Sequence, residues 1–316
     1  MRVSVIVPSF NRPDLIVRTV RGLIVQSLPL DEYEVLVVDD HSDPPVTDAF
    51  FGHRLPRSVK IIRSDENRGR AAARNMGIQA ATGRVVVMLD DDMEVVPEFL
   101  EAHLRIHDAR EKAVVLGKIA AAPELGRAPF LRYLDSRGPE KIPRGEAIPA
   151  KYFVTGNVSV PRSALEKVGG FDEGFSLYGG EDTELGMRLG KAGYVFLYAP
   201  DALAHHLHIV GIDRLCERLS AYGRNGLPGM VERHPELKAL LSLDILDPPR
   251  WGSEPLGSSL RRWFFQASLR PGVFRAARVL TRATPLGRAL YPVYDYLRAY
   301  AYMTGYRDAA GERGGE

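Results

Sequence analysis

The 316-residue chain has a single cysteine, Cys216, so it can build neither an internal disulfide nor a cysteine-ligated zinc site, and it fits a reducing compartment. No stretch reaches the roughly eighteen consecutive apolar residues of a membrane-crossing helix. The apolar run after Met1 and Arg2 is too short for a signal peptide and stops at Pro8. Charge of one sign is also missing. Lys and Arg number 42 against 40 Asp and Glu, and a net charge of +2 leaves no overall electrostatic attraction to nucleic acid. These absences point to a cytoplasmic chain, free or held peripherally at the inner face of the cell membrane.

What is there is an alternation. Through the first ninety residues short β-branched runs exchange with helix-period segments, which predicts an α/β fold with a mostly parallel sheet flanked by helices. Strands are expected over 3–7, 35–38, 59–62 and 85–89, all near-continuous and apolar, hence buried on both faces. Pro13 and Asp14 open a helix carrying Leu15, Ile16, Thr19, Val20, Leu23 and Ile24 on one face, and alanine-rich 70–81 forms another before Gly83. Further helices are expected over 97–107, 162–168 and 181–191, with extended segments near 114–116, 153–160 and 194–198. Residues 123–149, rich in Pro, Gly and charge, read as a long mobile loop. From Ile212 the pattern is helical, and from Trp251 it is basic and aromatic, with Arg261-Arg262-Trp263-Phe264-Phe265 and a series of later arginines. Two domains follow, 1–225 and a helical, basic-aromatic extension over 226–316.

In open α/β sheets ligands bind beyond the carboxyl ends of the strands. Strand one ends in Pro8-Ser9-Phe10-Asn11-Arg12, strand two in Asp39-Asp40-His41-Ser42, and strand four in Asp90-Asp91-Asp92. Successive carboxylates after a buried strand repel one another and lose solvation, and a hard divalent cation such as Mg2+ or Mn2+ offsets that cost.

These strand ends, with Asn67-Arg68-Gly69, Ala73-Arg74-Asn75, Thr155-Gly156-Asn157, Gly169-Gly170-Phe171-Asp172 and Glu181-Asp182-Thr183-Glu184-Leu185 in that order, resemble the family 2 glycosyltransferases of the GT-A fold over about residues 1–225. The resemblance implies a sugar donor activated as a nucleoside diphosphate, UDP in the first instance, and a glycan or glycolipid acceptor in cell-envelope assembly. Pro8, Ser9, Asn11, Arg12 and Asp39 would hold the nucleoside, and Asn67 and Arg74 would close over the nucleotide. Asp90 and Asp92 match the family's Asp-x-Asp, which grips the ribose and the metal bridging the two phosphates. The sequence does not distinguish which of the three aspartates meets metal. Asp92 is assigned to it here, and Asp90 and Asp91 to the nucleotide. Of the cluster His205, His206 and His208 after the last core strand, where relatives place a metal-binding histidine, His206 is favoured, although the sequence does not decide among the three. Gly156, Asn157, Gly180 and Glu181 would line the acceptor and sugar side. Asp182, after the Gly179-Gly180 turn, would be the general base of an inverting transfer.

The chain lacks the Gln-x-x-Arg-Trp motif of the family's processive synthases, so a single transfer is expected. A sugar nucleotidyltransferase would need a glycine-rich, lysine-bearing loop after strand one, where this chain has Pro8-Ser9-Phe10-Asn11-Arg12-Pro13. A non-catalytic carbohydrate-binding module has no use for Asp182. The basic-aromatic tail has two readings, amphipathic helices lying on an anionic membrane or ordinary packing.

Overall fold

The structure, a computed structural model, describes residues 1–143, 145–175, 179–283 and 287–313. Its centre is an eight-stranded sheet of β1 (Val3–Ser9), β2 (Tyr33–Asp39), β3 (Val59–Arg63), β4 (Val85–Leu89), β5 (Met93–Val95), β6 (Ala113–Ala121), β7 (Asn157–Pro161) and β8 (Val195–His206) in the order β3-β2-β1-β4-β7-β6-β8-β5. β1 runs parallel to β2 and β4, as does β2 to β3 and β6 to β8; β7 is antiparallel to both its neighbours and β5 to β8. The sheet is therefore mixed and mostly parallel. Strand order reverses between β1 and β4, which opens a crevice at their carboxyl ends.

The period of two along β1 sends Val3, Val5 and Val7 to one face of the sheet and Ile6 to the other. The first face is covered by the helices Pro13–Leu23, through Ile16, Val20 and Leu23, and Phe99–Ala109, through Phe99 and Leu100. The second is covered by Arg70–Ala80, Arg162–Val168 and Glu181–Lys191. Gly77 lets the alanine-rich helix close on the sheet, since a Cβ there would sit 2.4 Å from Ile6 Cγ2. β1, β2 and β4 are buried on both faces as their composition implies. β3 departs from that expectation: it lies at the sheet edge, and its residues are half-buried or exposed.

Two further expectations are corrected. Residues 123–149 hold a 3-10 turn at Pro123–Leu125, a helix at Pro129–Asp135 and another turn at Gly138–Lys141, because proline there starts short helices instead of preventing them. The last strand extends well beyond residue 198, to His206. It does so through a bulge: Gly117 pairs with Ala199 but Lys118 with Leu203. The bulge would strand carbonyls, and the buried Asn157 amide answers by donating from Nδ2 to Lys118 O at 3.0 Å and Ala202 O at 2.9 Å.

Asn157 also begins a buried polar chain. Its Oδ1 lies 3.0 Å from His103 Nε2, His103 Nδ1 accepts from Ser159 Oγ at 2.9 Å, and Ser159 Oγ meets His107 Nε2 at 2.8 Å. Burial depresses His103 to a pKa of about 4 and His107 to about 3. At the opposite end of the sheet, burial acts to raise the Glu34 carboxyl. Donors from Thr82, Lys60 and Ser4 outweigh it and hold the group at about 2.

The chain divides into two compact units, one built on 1–127, 134–176 and 181–209, the other on 128–133, 177–180 and 210–316, each taken over its described residues. The second is helical, with Ile212–Ala221, Leu227–Arg233, Leu256–Ser268, Pro271–Ala283 and Tyr291–Arg313 as its main elements. Cys216 is buried there against Leu297 and Ala301. Among the described residues no helix is long and apolar enough to cross a membrane.

The two histidines set a pH dependence with a definite sign. Their folded pKa values lie below the unfolded value of 6.5, so unfolding takes up protons, and stability is lost as pH falls from about 6.5 toward 4. His107→Gln keeps a donor near Ser159 and cannot titrate. Its stability deficit against the parent at pH 7.5 should therefore shrink by about 2 kcal/mol by pH 4.5 in urea unfolding; a gap independent of pH would refute the assignment.

Candidate active site

Ser9 ends β1, and its hydroxyl donates to Asp91 Oδ2 at 2.8 Å. The Arg12 guanidinium reaches the same region, with Nη1 at 3.3 Å from Asp91 Oδ1 and 2.6 Å from Asp92 Oδ2. Thr19, from the helix that follows, donates from Oγ1 to Asp91 O at 2.8 Å and accepts from Met93 N at 3.2 Å, which pins the acidic turn from beneath. Asp91 is nearly buried, and burial lifts its carboxyl to about 6 despite Arg12 and Ser9. Asp92 is buried too, but the hydrogen bond and charge of His206, with Arg12, overcome the burial and hold it below the usual range. The third member, Asp90, is half-exposed and faces the opposite way, taking Arg74 Nη2 on Oδ1 at 3.2 Å.

His206 owes its place to the β8 extension. It pairs in register with Met93, and its Nε2 lies 3.2 Å from Asp92 Oδ2. His205 pairs instead with Glu94, and its side chain alternates to the other face; His208 lies beyond the strand and is exposed. One carboxylate oxygen and one imidazole nitrogen at this separation are suitable donors for Mn2+ or Mg2+. Among the described residues no group of three or more His, Cys, Asp or Glu is arranged to hold a metal ion. A cation held here would thus draw its remaining ligands from water and from a bound diphosphate, as is usual for Mg2+ sites, and the residues fit that role.

On the other side of Asp90, Arg74 is buried with Nη1 at 3.4 Å from Glu181 Oε1 and 3.6 Å from Asp182 Oδ1, and its guanidinium lies 5.6 Å from the Phe171 ring centroid. Glu181 is raised by burial and by Asp182, against the pull of Arg74 and Arg70. Asp182 remains partly open. Thr155 grips both its oxygens, with N on Oδ2 at 3.1 Å and Oγ1 on Oδ1 at 2.9 Å. Gly156 forms the floor beside Asp90, where a Cβ would come within 3.1 Å of Oδ2. Gly180, at φ 114°, takes the chain into the Glu181–Lys191 helix with backbone geometry that only glycine adopts readily.

Several expected residues also hold the loops and strands around the site. Asp39 is fully buried, and its carboxylate accepts from Ser42 N, Val46 N and Arg63 Nη1, which holds the loop after β2. Asn11, in the left-handed region at φ 54°, accepts Asp43 N on Oδ1 and donates from its own N to Ser42 Oγ, tying the β1 and β2 loops together. Pro8 pairs in register with Val38 and carries Ser9 to the end of the strand. Asn67 Oδ1 accepts Gly69 N at 3.2 Å within its own loop. Asn157, expected on the acceptor side, is buried in the β6–β8 bulge, so its amide is committed to the sheet. Reading the sequence alone missed Thr155 as the partner of Asp182, Thr19 beneath the triplet, and Asp40, which accepts Arg68 N and Gly69 N and so holds the 67–69 loop. Thr155 had a signal in its place in Thr-Gly-Asn, and Asp40 in its place at the end of strand two.

The mixed, mostly parallel sheet with its flanking helices is the GT-A fold, shared with solved glycosyltransferases. A Pyrobaculum calidifontis mannosyltransferase in complex with GDP-Man and Mn2+ superposes with a TM-score of 0.59 at 21% identity, over 97% of this chain and 86% of that one. Residues 1–349 of S. aureus TarS with UDP-GlcNAc give 0.55 at 20% identity, over 100% and 93%. In sequence, residues 4–169 match the family described as Glycosyl transferase family 2, and residues 144–210 match the N-terminal domain of galactosyltransferase. The chain belongs to glycosyltransferase family 2. Its relatives include a pre-mycofactocin glycosyltransferase of Mycobacterium tuberculosis, 30% identical over 82% of this chain and 54% of the relative, and a validoxylamine A glucosyltransferase of Streptomyces hygroscopicus, 28% identical over 74% and 61%. The chain thus spans less than two thirds of the length of these curated relatives.

Arg74 has the largest energetic consequence in this assembly. Removing a buried cation from among carboxylates should cost about 3 kcal/mol or more. Arg74→Met is expected to lower stability by that amount in urea unfolding, and adding Glu181→Gln should restore part of it. A loss below about 1 kcal/mol would mean that the guanidinium does not bind the acids together.

Proposed function

We propose that the chain is an inverting glycosyltransferase that moves one sugar from a nucleoside-diphosphate donor, a UDP-sugar in the first instance, to a hydroxyl of a glycan or lipid-linked acceptor. The observation that carries this reading is the Arg74 bridge between Asp90, at the donor end, and Asp182, whose carboxylate Thr155 orients. Each Asp182 oxygen keeps lone-pair capacity beyond its Thr155 contact, so the carboxylate can also accept a proton from an acceptor hydroxyl. That oxygen forms its bond to the anomeric carbon as the bond to the diphosphate breaks on the opposite face, and the configuration inverts.

Asp92 and His206 would hold the divalent ion, and Asp90 and Asp91 lie at the ribose and phosphate side. When bound, the ion supplies charge neutralisation for the departing diphosphate. Arg12, which covers Asp91 and Asp92, carries a cationic charge to the same region. The Asn67 loop and Arg74 flank the nucleotide, with Ser9, Asn11 and Arg12 across from them. Gly156 and Glu181 lie toward the acceptor. The cytoplasmic face of the cell membrane, with the C-terminal helices as the peripheral contact, suits a lipid-linked acceptor.

Calorimetric titration with UDP, GDP, CDP and dTDP, with manganese and then with chelator, tests donor class and metal dependence together. One diphosphate is expected to bind selectively, with chelation abolishing its binding. Asp92→Asn and His206→Ala should each weaken Mn2+ binding at least tenfold, about 1.4 kcal/mol. Asp182→Asn should lower transfer at least a hundredfold, the smaller end of general-base contributions, while diphosphate affinity stays within about a factor of two. Undiminished transfer by Asp182→Asn would remove it as the base.

A further inference from the structure

The second unit holds a stretch whose charges are all of one sign, although Arg262 pairs with Asp247 and Glu254, and Arg278 and Arg282 with Asp213. Between Pro255 and Tyr294 the chain has seven arginines and no Lys, Asp or Glu. Within the helix Leu256–Ser268, the row Leu256, Leu260, Trp263 and Phe264 recurs at i, i+4, i+7 and i+8, which places all four on one face. An apolar row at this spacing ordinarily turns inward. Here it turns outward, 38–67% exposed, with the Trp263 and Phe264 rings edge-to-face at 4.9 Å. The helix docks by its polar side: Arg262 Nη1 donates to Asp244 O, Gln266 Nε2 to Ile245 O and Asp247 O, and Ser259 Oγ to Glu254 Oε1. The next helix, Pro271–Ala283, adds exposed Val273 and Val279. Arg261, Arg270, Arg275 and Arg288 are exposed along the same stretch of chain. A groove of about 560 Å3, lined by Ile245, Phe265, Tyr302 and Met303, shares Arg261 and Phe264 with the face.

We propose that this face docks on an anionic lipid bilayer, with Leu256, Leu260, Trp263 and Phe264 entering the boundary between headgroups and acyl chains and the exposed arginines meeting lipid phosphates. Apolar side chains with cationic neighbours are what such a boundary binds, and arginine stems can lie along the apolar region while their heads stay at the phosphates. A second copy of the chain fits less well, because a two-fold pairing through this face would set arginines against arginines with no carboxylate from 255 to 294 to answer them. The inference deepens the peripheral-membrane part of the proposed function and is independent of the roles given to Asp182 and the donor site.

The test is co-sedimentation of the full chain with vesicles of phosphatidylcholine alone and of equal parts phosphatidylcholine and phosphatidylglycerol, at low and high salt. Binding is expected with the anionic vesicles, weakened by salt. Trp263→Ala with Phe264→Ala, and separately Arg261→Glu with Arg275→Glu, should each lower partitioning roughly tenfold or more, with the unfolding midpoint unchanged. No binding by a folded chain, or binding indifferent to both double variants, would overturn the proposal. So would a concentration-dependent dimer, abolished by the Trp263 and Phe264 substitutions, that ignores vesicles. Diphosphate titration in parallel separates the two readings, since a chain that binds vesicles but no diphosphate would refute the donor site and leave this surface standing.

Discussion

Three carboxylates from two distant stretches of the chain converge on the buried guanidinium of Arg74. Asp90 comes from the end of β4, while Glu181 and Asp182 come from a helix start 107 and 108 residues beyond Arg74. Gathering them without a cation would cost both desolvation and mutual repulsion. Arginine suits the position because its fork of donors can serve several acceptors at once and stays charged when buried. The arrangement also couples the donor end of the crevice to the proposed base through a single side chain. The Glu181 carboxyl lies above its ordinary range under burial and the nearby Asp182 charge.

Around that link the sheet supplies alignment by irregularity. β8 reaches His206 only because it bulges opposite Gly117 and Lys118, and the bulge is tolerable only because Asn157 satisfies the carbonyls it exposes. Without the bulge the strand register beside β5 would differ, and the imidazole facing Asp92 would not be that of His206. Asn157 is thus far from neutral in the chemistry, although it is buried away from the crevice. The His103–Ser159–His107 chain continues the same polar seam into the helix Phe99–Ala109 and makes the inner sheet sensitive to acid.

The second unit follows a different logic. Its helices bury Cys216, Leu297 and Ala301 among themselves, while the helix Leu256–Ser268 docks through Arg262, Gln266 and Ser259 and leaves its apolar row outside. That exposed apolar row, on a stretch whose only charges are arginines, is the surface proposed above to meet anionic lipid.

The order of strands and helices in the first two hundred residues was written locally, because uninterrupted β-branched runs, prolines at helix starts and glycines after helix ends act over a few residues each. The acidic turn after β4 and the Glu181–Asp182 helix start were legible for the same reason. Long-range pairing was not. Composition alone cannot tell that β3 would be an edge, that Pro129 would begin a helix, or that β8 would run on past Pro200, since each depends on which neighbour covers or pairs the segment. Nor could it separate three consecutive aspartates, whose side chains diverge in the turn so that one meets Arg74, one Ser9 and one His206. Nor did it show that Asp39 would tie down the loop after β2 or that Asn157 would satisfy the β6–β8 bulge, since the partners of both come from other segments. The sequence by itself determined which residues could do chemistry; the tertiary structure decided which of them face the crevice, because exposure and partnership are set by segments far away along the chain.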